Sequence, residues 1–116
     1  TTSIERAVAL TYLGRASEAI ALLGEGVDQP ADRAFVYYRY ASQTDDAALF
    51  HKALEAYRLA RDSRGIGDTL FSLAKLSREN GDTGEARHYA QRAIHALSAS
   101  GDTARADTIK AWLDAQ

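Results

Sequence analysis

The sequence predicts an all-α fold: a right-handed α-solenoid of antiparallel helix hairpins with about seven helices. Small residues recur every 33 or 34 positions, which indicates a repeated close crossing of two helices. Apolar side chains recur at i, i+3, i+4 and i+7, and no useful length of chain alternates with the period of a strand. The recurring small residues form three sets: Ala7, Ala41 and Ala74; Ala19, Ala53 and Ala86; and Gly14, Ala48 and Gly81.

The first four helices are predicted at about 3–13, 16–24, 30–44 and 46–63. Glycines are interpreted as lying between helices rather than inside them. Pro30 suits the first turn of the third helix, because its fixed φ is already helical. The fourth helix is expected to start early, at Asp45 or Asp46. Two apolar stripes support these helices: Tyr37, Tyr40, Ala41 and Thr44; then Leu49, Ala53, Tyr57 and Ala60.

The last three helices are predicted at about 67–79, 83–99 and 103–115. Asn80-Gly81 is typical of a helix end, and Asp82 and Asp102 are typical N-caps. Glu85, three residues after Asp82, is expected to complete a capping box. Loops of two to six residues then require consecutive helices to run antiparallel. The apolar stripes here are Leu70, Leu73, Ala74 and Ser77; then Ala86, Tyr89, Ala90, Ala93, Ile94 and Leu97.

This pattern resembles the tetratricopeptide repeat family, in which each repeat is a helix pair of 34 residues. The resemblance implies a single domain, 1–116, with repeats at about 1–33, 34–66 and 67–100 and a capping helix at about 102–116. The third repeat matches best, through Leu70, Leu73, Ala74, Gly81, Asp82, Ala86, Ala90 and Ala93. The second has Ala48-Leu49 where the family has a turn glycine. In the first, Gly26 predicts a short or frayed second helix, and Trp112 and Leu113 are expected to cover the end of the third repeat.

Composition narrows the class of protein. The chain has 116 residues and a net charge of −2, which gives no electrostatic reason to expect binding to nucleic acid or a membrane. Cysteine is absent, which excludes disulfides and thiolate chemistry and fits a cytoplasmic protein. Methionine is also absent, even at residue 1, so the chain is expected to be a fragment of a larger protein.

Partner-binding residues are predicted on the concave face formed by the first helix of each repeat, which suits an extended or helical peptide. An alternative that stays open is that these aromatic side chains pack within the superhelix or against further repeats. The acidic C-terminal tails of chaperones are not expected as ligands, because the positions of the family's cationic clamp hold Ile4, Val8, Ser42, Asp68 and Ser72. The predicted partner-binding residues are Val8, Tyr12, Tyr38, Ser42, Asp45, Phe71, Lys75 and Arg78.

No motif supports catalysis, a metal site or a cofactor. His51, His88 and His95 are interpreted as surface or packing histidines, and Gly65-Ile66-Gly67 as a turn into a helix rather than a dinucleotide loop. The predicted function is therefore a non-catalytic protein–protein interaction module that binds a peptide or partner helix, with a homo-oligomer also possible. The alternative is a sensor or oligomerisation segment of a larger bacterial transcription or signalling regulator.

Overall fold

Seven α-helices and no strand occur in residues 2–115, the part of the chain that the computed structural model describes. The all-α prediction and the predicted number of helices are therefore confirmed for this part. The helices are α1 (Ser3–Tyr12), α2 (Ala16–Leu23), α3 (Pro30–Thr44), α4 (Ala47–Leu59), α5 (Ser63–Glu79), α6 (Thr83–Ala99) and α7 (Thr103–Asp114).

The helices belong to two compact units, residues 1–61 and residues 62–116. In the first unit α1 packs against α2, α3 packs against α4, and α3 also contacts both α1 and α2. In the second unit α6 packs against α5 on one side and α7 on the other. Short loops join the helices within each unit, as expected for helix hairpins.

Two of the three sets of small residues occupy the core. Every member of the sets that begin at Ala7 and Ala19 has no exposed surface. The third set does not share one role. Gly14 and Gly81 have positive φ at helix ends, whereas Ala48 is an exposed residue in the first turn of α4. Asp45 takes the left-handed turn there instead, with φ of 52°. The step of 33 or 34 residues is therefore followed by the buried residues at helix contacts, whereas the residues at the turns do not all share one conformation.

The boundary between α4 and α5 differs from the prediction. α4 ends at Leu59 rather than near residue 63, and Arg61 adopts a left-handed φ of 55°. α5 starts four residues earlier than predicted, because the Asp62 carboxylate accepts a hydrogen bond from the Gly65 amide and caps the helix. As a result Gly65 and Gly67 lie inside a helix, and the prediction that glycines lie only between helices was wrong.

The predicted caps are partly confirmed. Asp82 and Asp102 are N-caps, and Pro30 occupies the first turn of α3. The predicted capping box of Asp82 and Glu85 was wrong, because the Glu85 carboxylate instead accepts a hydrogen bond from the Ser77 hydroxyl.

Two further features of the first unit concern helix ends. A capping box occurs at α1, where Thr2 and Glu5 bond each other's backbone. α2 has only eight residues, which confirms the expectation of a short second helix in the first repeat.

A buried arginine holds the loop between α2 and α3. The Arg33 guanidinium donates to the Leu23 carbonyl at 2.8 Å, to the Asp28 carbonyl at 2.7 Å and to the Asp28 carboxylate at 2.7 Å. Only 4% of Arg33 is exposed, and Leu23 is the last residue of α2. The cation therefore satisfies carbonyls at a helix C-terminus, where positive charge is stabilised. It also lowers the pKa of the Asp28 carboxyl, mainly through the hydrogen bond between the two side chains.

Three contacts define the directions of the helices in the second unit. Gly67 near the start of α5 lies against Leu97 near the end of α6, so these two helices run antiparallel. Arg105 in the first turn of α7 pairs with Asp68 near the start of α5. Arg78 in the last turn of α5 donates to the Trp112 carbonyl near the end of α7 at 3.1 Å. α7 therefore lies beside α5 and points in the same direction.

Candidate functional site

Three of the predicted partner-binding residues cluster around the chain's single tryptophan in the second unit: Phe71 and Arg78 contact Trp112, and Lys75 contacts Phe71. The Phe71 and Trp112 rings are edge to face, with centroids 5.4 Å apart. The Arg78 guanidinium lies 3.5 Å from the centroid of the Trp112 ring, and Lys75 Nζ lies 4.6 Å from the centroid of the Phe71 ring. Each cation therefore faces an aromatic ring, an arrangement that is favourable near a surface. We call these four residues the α5–α7 cluster.

Helical spacing explains why the cluster forms. Phe71, Lys75 and Arg78 follow one another at four and three residues, so their side chains share one face of α5. Trp112 reaches that face because α7 lies beside α5 in the same direction. Phe71, Arg78 and Trp112 are half-buried, and Lys75 is exposed. The cluster thus combines two half-buried aromatic rings, Phe71 and Trp112, with the exposed positive charge of Lys75.

A cavity of about 190 Å³ adjoins the cluster and shares Phe71 with it. Leu97 and Ile109 border it, but with 0% and 2% of their surfaces exposed they offer almost no accessible apolar surface. We call this cavity the α5–α7 pocket; its lining residues are Asp68, Phe71, Leu97, Arg105, Thr108 and Ile109.

The charges around the pocket differ in how they are neutralised. Arg105 pairs with Asp68 on α5 and, at 3.2 Å, with Asp102 at the N-cap of α7. Within residues 2–115, by contrast, no carboxylate lies within ion-pair distance of Lys75 or Arg78. Lys75 and Arg78 therefore present two positive charges beside the α5–α7 pocket that have no carboxylate partner among residues 2–115.

The other five predicted residues lie in the first unit and have unlike surroundings. Val8 packs against the core cluster of α1, α2 and α3, and Asp45 forms the exposed C-cap of α3. Tyr12 is 75% exposed, and its ring centroid lies 5.1 Å from that of Phe35. Tyr38 is half-buried, with its ring edge-on to the rings of Phe50 and Tyr57, and the exposed Ser42 hydroxyl donates to the Tyr38 carbonyl.

These five residues do not form one surface cluster with each other as the second-unit residues do. Tyr38 packs within the α3–α4 hairpin, which matches the alternative in which aromatic residues serve packing. Only Tyr12 offers a largely exposed ring.

A second cavity of about 190 Å³ lies in the first unit beside the loop between α2 and α3. Val27 and Leu59 are largely exposed at its edge, and Lys52 Nζ lies 5.8 Å from the Tyr37 ring centroid. Arg33 reaches this cavity, but its guanidinium is already bonded to Leu23 and Asp28. The full lining is Gly26, Val27, Pro30, Arg33, Tyr37, Lys52, Glu55, Ala56 and Leu59.

Four residues of α7, Arg105, Thr108, Ile109 and Trp112, belong to the site but were not predicted as binding residues. Trp112 was expected only to cover an apolar end, and Arg105 and Ile109 were not singled out for binding. The available signal was the sequence distance of 34 residues between Arg78 and Trp112, which equals the repeat step. A residue one repeat further on the same type of helix is a natural neighbour.

Two titratable groups with a shifted pKa, Glu18 and Tyr89, lie outside both cavities. The pKa of Glu18 is lowered, mainly by its hydrogen bond with Arg15, and burial raises the pKa of Tyr89. Among residues 2–115 no three His, Asp or Glu side chains are close enough together to hold a metal ion.

Comparison with protein-family models, curated proteins and solved structures yields no significant match. Across residues 2–115, no helix combines the length and the apolar character required to cross a membrane.

Proposed function

We propose that this protein is a tetratricopeptide-like interaction module, a right-handed stack of helix hairpins that binds a peptide or partner helix without catalysis. The α5–α7 cluster carries the proposal. Half-buried aromatic residues beside a cavity and a cation are typical of the residues that dominate binding energy at interfaces. A rigid helical surface also loses little conformational freedom on binding.

Features of each unit support the repeat interpretation. Helices pack as successive pairs, and two sets of small residues at the repeat step are completely buried. In the second unit α7 lies parallel to α5, which is the relationship between the first helices of adjacent repeats in a hairpin stack. Of the eight predicted partner-binding residues, the proposed surface includes Phe71, Lys75 and Arg78. Trp112 and the α5–α7 pocket are added to it.

Quantitative affinity purification tests this function. The chain is used as bait in its native cell extract, beside Lys75→Glu and the control Lys110→Glu, which makes the same charge change on the exposed face of α7. We expect one or a few proteins to co-purify with the original chain and with Lys110→Glu, and to be reduced at least tenfold with Lys75→Glu. Equal recovery by all three baits would contradict the assignment of this surface.

A sensor or oligomerisation segment is the second candidate, and the distribution of exposed apolar residues favours it. The exposed large apolar side chains of residues 2–115 all lie in the first unit: Tyr12, Leu13, Leu22, Val27 and Leu59. Exposed apolar surface promotes association. Sedimentation equilibrium of the original chain and a Leu13→Ser, Val27→Ser variant tests it. Self-association that the variant loses would support this role, and a monomer at all concentrations would exclude self-association through these residues.

A further inference from the structure

We propose that the ligand of the α5–α7 surface is an acidic amphipathic helix of a partner protein. In this helix an apolar side chain enters the pocket, and two carboxylates bind Lys75 and Arg78. The inference rests on the proposed function and adds the chemistry of the partner.

The pocket determines the apolar part of the ligand. Its volume of about 190 Å³ exceeds the roughly 150 Å³ of an apolar protein cavity that accepts benzene. An apolar side chain of this size therefore suits the pocket, where it would contact the half-buried Phe71. The ion pair of Asp68 and Arg105 lies at the same cavity, and its mutual neutralisation leaves it little attraction for a further charge.

The charge of the ligand follows from Lys75 and Arg78. Within residues 2–115 neither side chain has a carboxylate partner; Lys75 lies over the Phe71 ring, and Arg78 lies over the Trp112 ring and donates to the Trp112 carbonyl. A cation that is already positioned loses less conformational entropy when it binds an anion. Carboxylates are the groups on a protein partner that complement this pair, since charge-assisted hydrogen bonds to Lys and Arg are the strong ones.

Helix geometry gives the spacing of these groups. Along α5 the step from Arg78 to Lys75 is three residues and the step to Phe71 is four more, or about 4.5 Å and 6 Å at 1.5 Å per residue. A ligand helix antiparallel to α5 matches these steps with the pattern Glu-x-x-Glu-x-x-x-Leu. This direction places both glutamates toward the N-terminus of the ligand helix, where negative charge is favoured.

The probe is an amidated alanine-rich helical peptide that carries this pattern and has a fluorophore on its N-terminal amine; the unlabelled peptide is acetylated there instead. Its affinity for the full chain is measured by fluorescence anisotropy, and unlabelled peptide is used to follow the emission of Trp112. We expect saturable binding with a change in Trp112 emission. Replacing both glutamates by glutamine, or the leucine by alanine, should weaken binding at least tenfold.

Reciprocal charge changes make the test specific. The Lys75→Glu variant should bind the glutamate peptide at least tenfold more weakly than the original chain does, and it should prefer a peptide with lysine at the matching position. The Lys110→Glu variant should bind the glutamate peptide with an affinity within twofold of the original. Equal binding of the glutamate and glutamine peptides would overturn the acidic part of the proposal. Absence of binding by every peptide up to 1 mM, roughly the weakest affinity of practical interest, would overturn it entirely.

The proposed function and the chemistry of the partner can be disproved separately. If a partner co-purifies in a Lys75-dependent manner but the peptides do not bind, the inference about partner chemistry is wrong and the proposed function stands. If nothing co-purifies through Lys75, the proposed function of this surface is wrong whatever the peptides do.

Discussion

Gly67 in α5 lies so close to Leu97 in α6 that a β-carbon at residue 67 would be 2.5 Å from the Leu97 Cγ atom. Leu97 is completely buried, and its side chain would have to shift to admit a methyl group at residue 67. The close approach of α5 and α6 therefore depends on glycine at this position, although glycine is otherwise unfavourable inside a helix.

Gly67→Ala should lower the free energy of unfolding by about 1–3 kcal/mol, because the added methyl group overpacks the contact with Leu97. Gly84→Ala is the matched control. Its β-carbon would meet only the Asp82 carboxylate, at 3.9 Å, so the better helix propensity of alanine should raise stability by up to about 0.5 kcal/mol. Urea denaturation followed by circular dichroism measures both, and a stabilising Gly67→Ala would contradict the close packing described here.

Arg33→Met should destabilise the first unit by about 3 kcal/mol, because it leaves the Leu23 and Asp28 carbonyls without their buried donor. Arg39→Met, in the same helix, removes an exposed arginine that faces the Phe35 ring and should change stability by less than about 0.5 kcal/mol. The same urea measurements apply. Similar effects of the two substitutions would show that Arg33 does not hold the loop.

The pair formed by Asp28 and Arg33 should make stability depend on pH at the acidic end. The pKa of Asp28 is lowered in the folded state from its ordinary value of 3.8, so the unfolded state binds the proton first. The contribution is therefore fully present above pH 3.8 and is lost as pH falls through the lower pKa of the folded state. Asp28→Asn should remove this part of the pH dependence. Thermal melts of both proteins between pH 2 and 7 give the comparison, and curves that stay parallel below pH 4 would contradict the assignment.

The end of α3 offers a pair of neighbouring substitutions with opposite effects. Asp45→Gly should stabilise the protein by about 0.5–1 kcal/mol, because glycine adopts the left-handed φ of 52° without a steric penalty. Asp46→Ala should destabilise it by about 1 kcal/mol, because the Asp46 carboxylate caps α4 by accepting from the Ala48 and Leu49 amides. Melting temperatures that move in the same direction for both would contradict these cap assignments.

Core positions and helix number could be predicted from the sequence, since they follow from short-range periodicity. Ala7 and Ala19 anchor sets that repeat because every copy meets the same spatial constraint, a close helix crossing. Helix ends depend on single capping residues, so periodicity did not predict where α4 ends and α5 begins. Asp62 extends α5 backward through two glycines, and Asp45 replaces the glycine expected at a turn.

The candidate site could be predicted only in part, for a physical reason. The spacing of Phe71, Lys75 and Arg78 shows that they share a face of α5, but it does not show what lies against that face. Trp112 is far away in sequence, and only the direction of α7 beside α5 brings it to Phe71. Residues within one helix are thus predictable from local rules, whereas contacts between helices depend on tertiary packing.

Arg78→Met should make Trp112 more accessible to solvent, because the guanidinium covers a face of the indole ring at 3.5 Å. We expect a larger acrylamide quenching constant for Trp112, the single tryptophan of the chain. Lys110→Met, a substitution at an exposed residue of α7, the helix that carries Trp112, should leave the quenching constant unchanged. Equal quenching in all three proteins would show that Arg78 does not cover the ring in solution.

Photo-crosslinking tests most directly the central claim that the α5–α7 surface receives a protein partner. A photoreactive phenylalanine analogue replaces Glu79, an exposed residue of α5 one turn beyond Lys75, so that Lys75 and Arg78 stay in place; the same analogue replaces Lys110 as the control. In the native cell we expect a discrete covalent adduct from position 79 that position 110 does not form. Adducts of equal yield from both positions, or none from position 79, would contradict the claim.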